Sequence, residues 1–193
     1  MEESKGQKEK LFNLHLFNKS KMVFPEMVFK TKFDCHLFMN IEDWFNNEDD
    51  YKDLQCFLEA INEPFLYCAV PEIYNCVDLK IDIKTNHKDF VNSYLQNTKN
   101  DLEIGLRISP EGFWYGQSND WAIVSDIINN IFIVGLNKHA ALNFKADFPY
   151  KYFDATTYIA RTLESNEILG NKIDIEDSEV KIWINNFLKI YKN

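Results

Sequence analysis

Cys35 and His36 stand side by side in KFDCHLFM, and a thiol beside an imidazole is a pairing that nucleophilic catalysis uses. The same segment alternates, with Phe33, Cys35, Leu37 and Met39 on one face, so it reads as a strand. Neighbours on a strand point to opposite faces, and these two side chains cannot form a dyad with each other. His15, His87 and His139 are scattered through the chain and read as surface or satisfied core residues. Asp126 is the other position with reactive character. It lies in WAIVSDII, a run with two apolar faces, where a carboxylate needs partners or a raised pKa. A bulge or strand end, where Asp126 receives backbone amides, is the first reading. A pocket beside it, walled by Trp121 and Trp114, is the alternative, and it would suit a small enzyme or a ligand-binding protein.

Two further sets of residues suit recognition. In LEIGLRISPEGFWYGQS, a turn at Ser109-Pro110-Glu111-Gly112 sets Arg107 across from Trp114 on the face opposite Phe113 and Tyr115. Arginine over tryptophan is a cation–π pair, and both residue types are enriched at interface hot spots. In EDWFNNEDDYKD, the carboxylates of Glu42 and Asp43 flank Trp44, a combination that could grip a basic protein surface. The competing reading covers the Trp114 face with a helix of the same domain. It also makes the acidic run only a helix approach, with Asp49 and Asp50 in the first turn.

No motif organises a nucleophile, a phosphate or a metal. Gly116-Gln117-Ser118-Asn119-Asp120 is not a nucleophile elbow, and the chain has no phosphate-binding loop, no dinucleotide fingerprint and no HExxH. Cys35, Cys56, Cys68 and Cys76 form no CxxC, and no histidine lies at zinc-finger spacing. No catalytic residue, cofactor or metal is therefore expected.

Behind these residues stands an aromatic-rich globular composition. Of 193 residues, 46% are hydrophobic and 15% aromatic, with six glycines and five prolines, too few for a linker-rich chain. The formal net charge of −9 argues against nucleic acid and against an anionic membrane surface, and it favours a basic protein as partner. MEESKGQKEK carries no apolar core of a signal peptide, and no run approaches the length of a membrane span. A cytoplasmic protein with free thiols is expected.

The elements that must position these residues follow from periodicity. Residues 1–10 read as a flexible tail, and 11–193 as one α+β domain, with a split near 97–101 as the alternative. Strands are expected at 11–17, 22–29, 32–39, 65–70 and 76–84. Leu54, Phe57, Leu58 and Ile61 lie at helical spacing, and Asn86 caps a helix running to about 96. Residues 102–136 read as a four-stranded antiparallel meander within a sheet that is antiparallel or mixed. Its last hairpin sets Ile128 across from Ile131. Helices follow at 139–145 and 155–164, the latter capped by Asp154. A C-terminal helix, capped by Asp177 or Ser178, lays Val180, Trp183, Ile184, Phe187, Leu188 and Tyr191 on the core. The function this supports is an acidic, cytoplasmic, non-enzymatic protein-binding module of the inhibitor or immunity-protein kind.

Overall fold

The computed structural model describes residues 28–29, 31–40, 47–69, 79–98, 113–126, 131–149, 151–168 and 173–192. Strand β1 (Cys35–Asn40) is followed by helix α1 (Glu48–Ala60), β2 (Phe65–Ala69), β3 (Leu79–Asp82), α2 (His87–Thr98), β4 (Phe113–Tyr115), β5 (Trp121–Asp126) and β6 (Ile131–Leu136). Helices α3 (Lys138–Asp147), α4 (Ala155–Ile168) and α5 (Ser178–Tyr191) complete the order. The strands form one six-stranded sheet in the order β1-β6-β5-β4-β2-β3, and every neighbouring pair is antiparallel. The fold is α+β, with the C-terminal helix on the sheet.

Both faces of this sheet are covered, as two apolar faces require. On one side Leu37, Trp114, Trp121, Ile123, Phe132 and Val134 meet Leu54, Phe57 and Leu58 of α1, Phe90 of α2, and Ala140 and Phe144 of α3. On the other side Phe38, Phe113, Tyr115, Val124 and Ile133 meet Tyr158 and Ile159 of α4, Phe187 and Tyr191 of α5, and Val28, Phe29 and Phe33. β6 is buried along its whole length.

Each helix begins where its cap is. The Asn47 side chain accepts from the Asp50 amide at 2.7 Å, and Asn137 from Ala140 at 2.8 Å. Asn86 accepts from Asp89 at 3.0 Å, Asp154 from Thr157 at 2.7 Å, and Asp177 from Glu179 at 2.7 Å. Side-chain oxygens thus satisfy first-turn amides that the helix leaves orphaned.

Three details depart from the sequence reading. β5 and β6 pair Asp126 with Ile131, so four residues connect the strands rather than the two that Ile128 opposite Ile131 would leave. The slip is by an even number of residues, which is why the two faces stay as read: Trp121, Ile123 and Ser125 still lie beside Leu136, Val134 and Phe132. Secondly, Phe33 does not continue the Cys35–Leu37–Met39 face. It precedes the strand and crosses to the other core, where its ring fills the space beside Gly135. A Cβ on Gly135 would fall 2.9 Å from Phe33 Cγ and closer still to the ring edge. Thirdly, β4 pairs with β5 on one side and with β2 on the other, so Trp114 has Ile123 and Cys68 as its cross-strand partners. The place expected for 102–109 beside β4 is held by β2. Residues 102–109 themselves lie outside the described residues, as do the expected tail 1–10, the expected strand at 11–17 and all but the last two residues of the one expected at 22–29.

Candidate functional site

Helix α4 carries few apolar side chains towards its C-terminal end. After Leu163 its sequence runs Glu164, Ser165, Asn166 and Glu167 before the closing Ile168. Helix α5 does the opposite and begins its apolar stripe at once, with Val180, Trp183 and Ile184. The stripe of α5 therefore exceeds what α4 can cover. The result is a cleft of about 400 Å³ lined by Ile159, Thr162, Leu163, Ile173, Glu179, Val180, Trp183 and Ile184. Its volume falls in the range of binding pockets, and Glu179 is its one charged wall among the described residues. The Trp183 ring stacks on Phe187, with centroids 5.5 Å apart, which holds the indole at the cleft while leaving it half-buried.

The segment leading into α5 is acidic. Asp174, Glu176, Asp177 and Glu179 are exposed, as is Glu164 after Leu163 on α4, against Lys181 among residues 173–181. Lys181 is already paired with Glu176. Asp174 accepts from the Glu176 amide at 2.9 Å, and Asp177 caps α5. The positive end of the α5 dipole lets these carboxylates crowd together. Ile175, in the middle of the run, stays half exposed at 50%.

The residues expected to bind are distributed differently. Trp114 is fully buried at 0% exposure and is not a surface contact, because α2 covers its face: Phe90 approaches it at 6.3 Å between ring centroids. Trp121 is likewise core, set edge-on against Phe57. Asp126 ends β5 opposite Ile131, and neither Trp121 nor Trp114 lines the cleft. Arg107, Glu42, Asp43 and Trp44 lie outside the described residues. The carboxylates that follow them are engaged within the chain: Glu48 and Asp49 lie 3.0 and 3.9 Å from Lys52. Buried Asp50 and half-buried Asp53 both hold Lys151. Desolvation pulls the Lys151 pKa down, but the hydrogen bonds it donates to Asp50 and Asp53 outweigh this and leave the ammonium raised above its ordinary value. Cys35 and His36 face opposite sides of the sheet, as alternation requires, Cys35 against one core and His36 within 6.0 Å of Phe29 in the other. Cys35, Cys56 and Cys68 are free, and among the described residues no cluster of His, Cys, Asp or Glu could hold a metal.

One chemically notable group has no sequence signal at all. Glu63 is 2% exposed and fully used. Asn62, with φ of 58°, closes α1 in a left-handed turn: its amide donates to Glu59 O at 3.0 Å, and the Glu63 amide to Leu58 O at 2.8 Å. That reversal aims the Glu63 carboxylate inward. There it accepts from the Gln117 amide and the Ser118 amide, each at 2.8 Å, and from the Ser118 hydroxyl. Gly116 is required beside it, since a Cβ there would fall onto the carboxylate and 2.6 Å from Trp121 Nε1. Glu63 thus clamps the β4–β5 turn to the end of α1, a structural role.

Compared with family models, curated proteins and solved structures, the chain finds no match. Among the described residues, no helix is long and apolar enough to cross a membrane.

Proposed function

We propose that the chain is an acidic, non-enzymatic protein-binding module of the inhibitor or immunity-protein kind, and that its binding face is the α4–α5 cleft. The observation that supports this most is an apolar cleft with Trp183 and Glu179 in its wall, preceded in the chain by the exposed carboxylates Asp174, Glu176 and Asp177. Hot spots combine such an aromatic anchor with a desolvated pocket, and rim charges steer the partner in. A net charge of −9 makes that partner a basic protein. We place the protein in the cytoplasm, where Cys35, Cys56 and Cys68 stay reduced. Glu42, Asp43 and Trp44 are a second candidate contact, and Arg107 and Asp126 remain candidates of the same standing.

The test is a photo-crosslinker placed at Glu179 and, as control, at Asp49 on α1. The expected result is a basic protein cross-linked at 179 and not at 49, lost when the exposed Asp174 and Glu176 are replaced by lysine. The same set of proteins at both positions, or none at 179, would overturn the reading.

A further inference from the structure

We infer that the α4–α5 cleft takes one turn of a basic amphipathic helix, whose apolar side chains at i and i+4 enter between Leu163 and Trp183 while its lysines or arginines meet Glu176 and Glu179. This rests on the protein-binding reading above and names the partner's chemistry.

Shape carries the first step. The walls are two helices, and helices satisfy their own backbone groups internally. A strand laid in this groove finds no row of amides and carbonyls to pair with, so strand addition has no purchase there. A third helix brings its backbone already satisfied and needs only side-chain complementarity, ridges into grooves. Length carries the second. Ile159 to Leu163 on one wall, and Val180 to Ile184 on the other, each span four residues, about 6 Å at 1.5 Å per residue. That matches the separation of side chains at i and i+4 on a partner helix. Volume agrees: about 150 Å³ of apolar cavity holds a benzene, so the 400 Å³ here takes two large apolar side chains.

Charge decides between occupants. A second copy of this chain would bring its own Asp174, Glu176, Asp177 and Glu179 against the same set, and a net −9 against −9. A small apolar molecule would leave Glu179, the carboxylate in the cleft wall, without a cationic counterpart. A cationic helix satisfies the apolar lining and Glu179 together.

The experiment uses the full chain and labelled probe peptides of about 15 residues, the length at which an isolated helix becomes marginally stable. One peptide is a lysine-rich helix with leucines at i and i+4. Its partner has the same composition with the leucines re-spaced to alternate. Anisotropy is read at about 50 mM and about 300 mM salt, a range over which surface charge pairs become screened. The expected result is binding of the helical peptide about tenfold tighter than the re-spaced one, weakened at least tenfold by Glu176→Lys with Glu179→Lys at low salt and less so at high salt. Both substitutions are at exposed positions, and Leu163→Ala, which removes a wall without touching charge, should weaken the helical peptide selectively. Equal binding of the two peptides, still sensitive to the lysine variants, would overturn the helix while leaving a basic partner standing. Binding that ignores both the lysine variants and Leu163→Ala would sink both ideas. A solution dimer dispersed by Glu179→Lys would give the cleft to a second copy and overturn the inference.

Discussion

The Trp183 ring lies against the Phe187 ring with centroids 5.5 Å apart and planes 18° apart, yet only Phe187 is closed to solvent. One turn separates them on α5. Phe187 also meets Phe38 at 5.5 Å and Tyr158 at 5.4 Å, so it ties α5 to both β1 and α4. Trp183 has the cleft on its other side. Phe187→Ala should cost about 3–5 kcal/mol, the range for a buried aromatic, and Trp183→Ala about half as much. Urea denaturation of the two variants measures this. A Trp183 variant as damaged as the Phe187 variant would mean that the cleft is closed and the indole is core.

The Glu63 clamp gives a second expectation. Its carboxylate receives two backbone amides and a hydroxyl in a buried setting, and charge-assisted bonds of that kind contribute about 1.5–3 kcal/mol each. Glu63→Ala leaves the Gln117 and Ser118 amides with no acceptor and should cost about 3 kcal/mol. Gly116→Ala should cost at least about 2 kcal/mol by a different route, since its methyl displaces the carboxylate it lies against. The two changes share one cause and should be less than additive in a double-mutant cycle. Full additivity would show that Gly116 is needed for some other contact.

Why the sheet could be read and the cleft could not is a matter of which forces write themselves locally. Alternation in CHLFM and WAIVSD, and the caps Asn86, Asp154 and Asp177, each depend on a few adjacent residues, and each appears where expected. Even the two-residue slip between β5 and β6 leaves the faces intact, because side-chain direction repeats every second residue. The pairing of β4 with β2 joins Cys68 to Trp114 across 46 residues, and nothing near Trp114 announces it. Trp114 reads both as a candidate contact and as a face covered by a helix of the same domain, and the second reading is the one found, with Phe90 of α2, itself remote in sequence, as the cover. The cleft is a mismatch between two stripes, those of α4 and α5. Each is visible alone, but its consequence appears only when Leu163 is seen to end where Val180 and Trp183 begin.

Lys151 and Asp50 join the start of α1 to the approach of α4, 101 residues apart in the chain. Asp50 keeps a 6% exposed side chain and also accepts from the Asn47 amide group, while the lysine is 38% exposed, which limits the pair's net contribution. Lys151→Met should cost about 1–2 kcal/mol, chiefly by stranding the buried carboxylate. Adding Asp50→Asn to Lys151→Met should return part of that loss. Thermal melts of the two single variants and the double variant decide the matter, and a double variant worse than the sum of its parts would contradict it.

His36 supplies the pH dependence. Its ring is 5% exposed and boxed by Phe29, stacked at 6.0 Å, and by Phe33 and Tyr191, edge-on at 6.4 and 5.4 Å. Burial there pushes the imidazole pKa down from 6.5 to about 4, because the charged ring loses its water. Between those two values the unfolded chain binds a proton that the folded chain refuses. Stability therefore rises with pH across that window. It is undiminished by this group above pH 6.5 and falls as the pH drops through about 4, by about 3 kcal/mol in all. His36→Gln removes the titrating group, and its readout is the slope of unfolding free energy against pH rather than its absolute value, which the lost ring contacts will lower at every pH. The wild-type slope between pH 4 and 6.5 should be steeper than that of the variant, whose remaining dependence comes from carboxylates such as Asp154, held low by its Thr157 amide bond. Parallel slopes would mean that His36 takes up its proton in the folded protein, and the aromatic box would then have to open to water at mildly acidic pH.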